Sequence, residues 1–133
     1  MDKIKIALVG YGSQGRRIAE AVSAQPDMQL VGVGLNEPDI SAHMAFRRGF
    51  ALYATSNENI NKFKKAKIAV QGLSSDLLSR IDIVVDATPS GVGKKNKEAY
   101  LKHGVKAIFQ AGEQFDVKPE LPSPRVNLLL AYG

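Results

Sequence analysis

Residues 3–34 read "KIKIALVGYGSQGRRIAEAVSAQPDMQLVGVG", and no other stretch restricts the fold as much. Ile4, Ile6 and Leu8 alternate with Lys3, Lys5 and Ala7, and Val9 closes the run, which predicts a strand over 3–9. Three glycines, Gly10, Gly12 and Gly15, follow within six residues. Ile18, Val22, Ala19 and Ala21 then form an apolar stripe at helical spacing, predicting a helix over 14–24. "QPD" at 25–27 breaks it, and "MQLVGVG" at 28–34 reads as a second strand. A strand, a helix and a strand over this length make a βαβ crossover, which sets the two strands parallel.

The alternation continues down the chain. A helix is expected over 41–48 with Ser41 as N-cap, a short strand over 51–55, and a helix from a Ser56 cap through Phe63. Residues 67–72 read as another short strand, and 74–80 as a turn or two of helix behind a serine cap. The nearly all-apolar "IDIVVDA" at 81–87 predicts a strand buried on both faces. A helix over 96–104 should end at Gly104 in the left-handed conformation, ahead of a last parallel strand over 105–110. The predicted class is therefore α/β and Rossmann-like, with a mainly parallel sheet and helices on both faces. The 133 residues suffice for one domain with its own core. The expected division is a dinucleotide-binding domain over 1–117 and a proline-rich linker with an apolar tail over 118–133. Pro119, Pro122 and Pro124 exclude helix and central strand there, and 126–132 should be a strand or a docked segment.

"GYGSQG", Gly10 to Gly15, fits G-x-G-x-x-G between a strand and a helix, the context in which that spacing has a physical purpose. Gly10 allows a tight turn, Gly12 lets the backbone approach a pyrophosphate, and Gly15 lets the helix pack against the first strand. The helix start adds unpaired N–H groups and a positive dipole end. A dinucleotide is the ligand this predicts. "DATPSGVG" at 86–93 follows the strongest later strand, where Thr88 offers a hydroxyl, Pro89 stiffens the turn, and Gly91 and Gly93 allow backbone approach. In "FQAGE" at 109–113, Gln110 and Gly112 are placed toward the nicotinamide end. Glu37 is the acid nearest the end of the second strand. It either accepts from a ribose 2′-OH, favouring NAD, or is a turn residue. No Arg or Lys lies between Arg17 and Arg47 to meet a 2′-phosphate directly, so NAD and NADP both stay open.

Composition removes other chemistries. With no cysteine, the chain can form no disulfide, thiolate zinc site or cysteine nucleophile. Its two histidines, His43 and His103, are far apart, and no carboxylate cluster suggests a metal. The net charge of +5 concentrates in 61–67 and 93–106, read as solvated faces or, functionally, as attraction for a phosphorylated ligand. Aromatics are few and no nucleic-acid-binding motif appears, which argues against nucleic acid. No signal peptide or membrane span is visible, so a soluble cytoplasmic protein is expected.

In order and spacing, "VGYGSQGRRIAEAV", "QPDMQLVGVG", "DATPSGVGKKNKEAY" and "GVKAIFQAGE" resemble the cofactor-binding half of archaeal-type phosphorylating glyceraldehyde-3-phosphate dehydrogenase, from about Lys3 to about Val117. The resemblance implies a tetrameric enzyme that oxidises glyceraldehyde 3-phosphate with NAD(P) and phosphate to 1,3-bisphosphoglycerate. It would place Ser13 and Gln14 against the cofactor diphosphate, near the amides of Tyr11 and Gly12. Thr88 and Pro89 would line the crevice between adenosine and nicotinamide, and Gly112 the nicotinamide side. The chain departs from the family at Val9, where asparagine is usual, at Gln14, where an aliphatic residue is usual, and at Ala111, where glycine is usual. "GLNE" at 34–37 replaces the basic residues that follow the family's second strand. The family's cysteine nucleophile and histidine base have no counterpart here, so no catalytic residue is assigned and inactivity of the chain alone is expected. Two alternatives remain: a stand-alone nucleotide-binding sensor or interaction module, and the cofactor domain of a reductase acting on an amino-acid semialdehyde or dihydrodipicolinate.

Overall fold

The computed structural model describes residues 2–89 and 91–110. The segment expected as linker and tail, 118–133, lies outside the described residues, as does Gly112. Among the described residues six strands and five helices alternate: β1 (Ile4–Val9), α1 (Ser13–Ser23), β2 (Met28–Leu35), α2 (Ile40–Arg48), β3 (Leu52–Ala54), α3 (Asn57–Lys65), β4 (Gly72–Leu73), α4 (Ser74–Leu78), β5 (Ile83–Asp86), α5 (Val92–Lys102) and β6 (Lys106–Phe109). The strands form one sheet in the order β4-β3-β2-β1-β5-β6. Every pairing is parallel.

The order follows from the crossovers. From β1 the chain winds outward through β2, β3 and β4, then returns to lay β5 on the other side of β1. Strand order reverses at β1, and a crevice opens there beyond the carboxyl ends of the strands. Val9, the last residue of β1, is level with Gly34 of β2 and Asp86 of β5.

Period-two alternation divides the core between the two faces. Ile6 and Leu8 of β1, Leu52 and Ala54 of β3, and Val85 of β5 pack with Ala19 and Val22 of α1, Ala42 and Ala45 of α2, and Phe63 of α3. Ala7 and Val9, Tyr53, and Val84 pack with Leu77 and Leu78 of α4 and Tyr100 of α5. Helices therefore cover both faces, as the alternation of elements predicts. Burial of β1 is not the alternation that its lysines suggest. Ile6 to Val9 are all buried, and only its first residues are exposed, as a strand covered on both faces requires.

Four local expectations are corrected. α2 begins one residue earlier than expected, so its N-cap is Asp39, whose Oδ1 accepts from the Ala42 N–H at 2.9 Å, and Ser41 falls inside the first turn. α4 has no serine cap. Ser74 is its first helical residue and donates to the Ala54 carbonyl at 3.3 Å, while the Asp76 carboxylate accepts from the Leu73 N–H at 3.2 Å. The strand expected over 67–72 contracts to Gly72–Leu73. Lys67 at φ +60° turns the chain out of α3, and Ile68 is spent covering the core rather than pairing. α5 starts at Val92, ahead of the expected 96, because Gly91 at φ +92° turns the chain directly into it. The Ser56 cap on α3 forms, accepting from the Asn59 N–H at 3.2 Å, and Gly104 at φ +67° follows α5 as expected.

Candidate functional site

A cleft of about 760 Å³ lies at the carboxyl ends of β1, β2 and β5. Gly10, Tyr11, Gly12, Ser13 and Gln14 of the glycine turn border it, with Asn36 and Glu37 after β2, and Thr88 and Pro89 after β5.

The three glycines stand in different surroundings. Gly10 has φ +93°, and a Cβ there would lie 3.0 Å from the Ala87 carbonyl carbon and oxygen. Its N–H donates to the Gly34 carbonyl at 2.9 Å, tying the turn to β2. Gly15 is buried, and a Cβ on it would come within 2.5 Å of the Gly10 carbonyl oxygen. These two serve the fold. Gly12 differs. It is exposed, its backbone is extended at φ −73° and ψ −164°, and a Cβ there would meet no atom within 4 Å. Neither its torsion nor its neighbours require glycine; the missing side chain keeps space open beside the start of α1. That start has no side-chain cap and no acidic residue in its first turn, so the helix's own first turn leaves its positive end unmatched.

Tyr11 borders the cleft with its ring buried edge-on to Phe50, centroids 6.0 Å apart. Burial pushes its phenol up, with the Glu20 carboxylate adding to the effect. Ser13 and Gln14 are exposed along the cleft, and Gly15 lies behind it under the turn. Glu37 lies on the rim and pairs with Lys62 of α3, Nζ to Oε1 at 3.1 Å.

Thr88 is buried, and its hydroxyl is not the free donor the sequence suggests. Both its N–H and its hydroxyl donate to Oδ1 of Asp86. Asp86 is fully buried, and its Oδ2 accepts from the Asn96 side-chain amide at 3.0 Å and from the Tyr100 hydroxyl. Burial, and then the Asp86 charge, push the Tyr100 phenol far above its ordinary range. Asp86 therefore ties the Thr88–Pro89 wall of the cleft to α5. The sequence held a signal for this, since an aspartate ending a strand with threonine two residues on is an Asx-turn pattern. Asn36, Asp39 and Ser41 also border the cleft, and sequence reasoning gave them no site role.

Gln110 stands apart from the cleft. It follows β6, two strands from β1, and its N–H donates to the Asp86 carbonyl at 2.8 Å. Gly91 precedes α5 and Gly93 lies in its first turn, so the loop after β5 is shorter than its glycines suggest. Among the described residues no group of His, Asp and Glu could hold a metal ion, and no helix is long and apolar enough to cross a membrane.

The sheet order, the glycine turn at the switch point and the open cleft define an NAD(P)-binding domain of the Rossmann type. Residues 4–111 match the family model described as dihydrodipicolinate reductase, N-terminus, and the chain belongs to that family. Among individual proteins it is similar to the glyceraldehyde-3-phosphate dehydrogenase of Thermococcus kodakarensis, at 51% identity over 115 residues, or 86% of this chain and 34% of that enzyme. The Pyrococcus furiosus enzyme of the same name is 50% identical over 131 residues, 98% of this chain and 39% of that one. The resemblance to the archaeal-type dehydrogenase thus holds, and the chain spans little more than a third of the length of these relatives. An NAD-binding protein from Listeria innocua shares the fold, with a TM-score of 0.58 at 22% identity over 81% of this chain and 27% of that one.

Proposed function

We propose that the cleft holds NAD or NADP with its pyrophosphate on the Gly10–Gly15 turn and the first turn of α1. Ser13, Gln14 and the amides of Tyr11 and Gly12 meet the diphosphate, and Glu37 accepts from the hydroxyls of the adenosine ribose. Thr88 and Pro89 flank the way to the nicotinamide, and Gln110 serves the nicotinamide end. Gly12 carries this proposal: an exposed glycine that neither torsion nor packing requires leaves room for something outside the chain. The identity to the Thermococcus and Pyrococcus enzymes favours a cofactor domain for glyceraldehyde-3-phosphate oxidation. We place it in a cytoplasmic homo-oligomer. These 133 residues contain no cysteine to attack an aldehyde, so the chain by itself binds cofactor without turning over substrate.

The test is calorimetric titration of wild type and Gly12→Val with NAD, NADP and their reduced forms. Valine tolerates the extended backbone at this position and has open space around it, so the variant should melt close to wild type. A branched side chain in the path of the pyrophosphate should cost about 2 kcal/mol or more of binding, roughly thirtyfold in Kd. Equal heats for the two proteins would remove the diphosphate cradle.

A further inference from the structure

No Lys or Arg lies between Arg17 and Arg47, so nothing local supplies a cation to the acid that follows β2. The fold supplies one from elsewhere. Lys62, in the last turn of α3, brings its Nζ to 3.1 Å from Oε1 and 3.4 Å from Oε2 of Glu37. The two side chains are 43% and 54% exposed, so the pair is open to water and free to rearrange. An ion pair this exposed does little for stability. Its position is what matters, because Glu37 borders the cleft on the β2 side, away from the Thr88–Pro89 wall.

We propose that Glu37 and Lys62 together select the substituent at the ribose 2′ position. This rests on the dinucleotide reading of the cleft given above. With a 2′-hydroxyl, Glu37 accepts its hydrogen bond while Lys62 holds the carboxylate in place and neutralises part of its charge. With a 2′-phosphate, two like charges meet at Glu37, and the Lys62 ammonium is the neighbouring group that can turn from carboxylate to phosphate. Glu37 therefore favours NAD, and Lys62 sets how strongly NADP is rejected. Lys62 is a specificity-determining residue drawn from a helix that the glycine motif does not include.

The experiment is calorimetric titration of the 133-residue chain with NAD and with NADP at low salt, for wild type, Glu37→Gln, Lys62→Met and the double variant. The readout is the ratio of the two dissociation constants. Glu37→Gln removes the like charge and should move the ratio about tenfold toward NADP. Lys62→Met should move it about fivefold toward NAD. The double variant should lose most of the NADP gain of Glu37→Gln, and raised salt should shrink that gain in the single variant. A ratio that Lys62→Met leaves unchanged, or a gain equal in the single and double variants, overturns the role of Lys62. The two layers fail separately. If Gly12→Val abolishes binding but the ratio ignores Lys62, the cleft stands and the selector falls. If the folded wild type binds neither dinucleotide, the cleft reading falls and takes the selector with it.

Discussion

Replacing Asp86 with asparagine tests how the wall of the cleft is held. The carboxylate is fully buried and accepts from four donors: the Thr88 N–H and hydroxyl on Oδ1, and the Asn96 amide and Tyr100 hydroxyl on Oδ2. Asparagine must point its NH2 at one of these pairs. Facing Thr88, it meets a backbone N–H that cannot turn away. Facing α5, it meets a hydroxyl that can rotate to accept and an amide that can flip. The second arrangement is the cheaper, yet it still exchanges charge-assisted bonds for neutral ones at a fully buried position. A cost of about 2–3 kcal/mol follows. For a domain of this size that is roughly a 10 °C fall in melting temperature, measurable by scanning calorimetry or by circular dichroism. Asp86→Ala strands all four donors and should fall further. If Asp86→Asn melts within about 3 °C of wild type, the buried carboxylate is not what pins Thr88 and Pro89.

Two further outcomes follow from local chemistry. The Tyr100 and Tyr11 phenols are both held above their ordinary value of 10.0, chiefly by burial, so the folded chain keeps protons that the unfolded chain releases. Stability is then full below about pH 10 and falls as pH rises past it, and denaturant midpoints for Tyr100→Phe should fall less steeply there than those of wild type. At the start of α2, Asp39→Ala removes the acceptor for the Ala42 N–H and should cost about 1 kcal/mol, whereas Ser41→Ala should leave the thermal midpoint of the ligand-free protein in place.

The first βαβ unit was legible because three signals coincide in it: an apolar run, glycines at fixed offsets and a helical stripe. The later elements were legible in kind and less so in extent. "KIAVQG" has the composition of a strand, but Lys67 takes a left-handed turn and only Gly72 and Leu73 pair with β3. Short apolar runs carry no information on whether they will cover a core or join a sheet edge. The cap of α2 was assigned to Ser41 because serine and aspartate are both good caps, and only the backbone shows which one precedes the first turn. At the site, the contiguous glycine turn could be read directly. The Glu37–Lys62 pair could not, since the partners are 25 positions apart in the chain and no periodicity links them. The place of Gln110 was illegible for a related reason: it depends on where β6 stands in the sheet, which the order of elements along the chain does not give.

The tight corner at Gly10 has a consequence for assembly. It is closed on one side by Gly34 and on the other by Ala87, which reaches it only when β5 has docked beside β1. The shape of the binding turn is therefore set by a long-range pairing, β5 beside β1, and not by the local glycine motif alone. Once bound, a nucleotide would clasp both flanks and draw stability into the seam between β1 and β5.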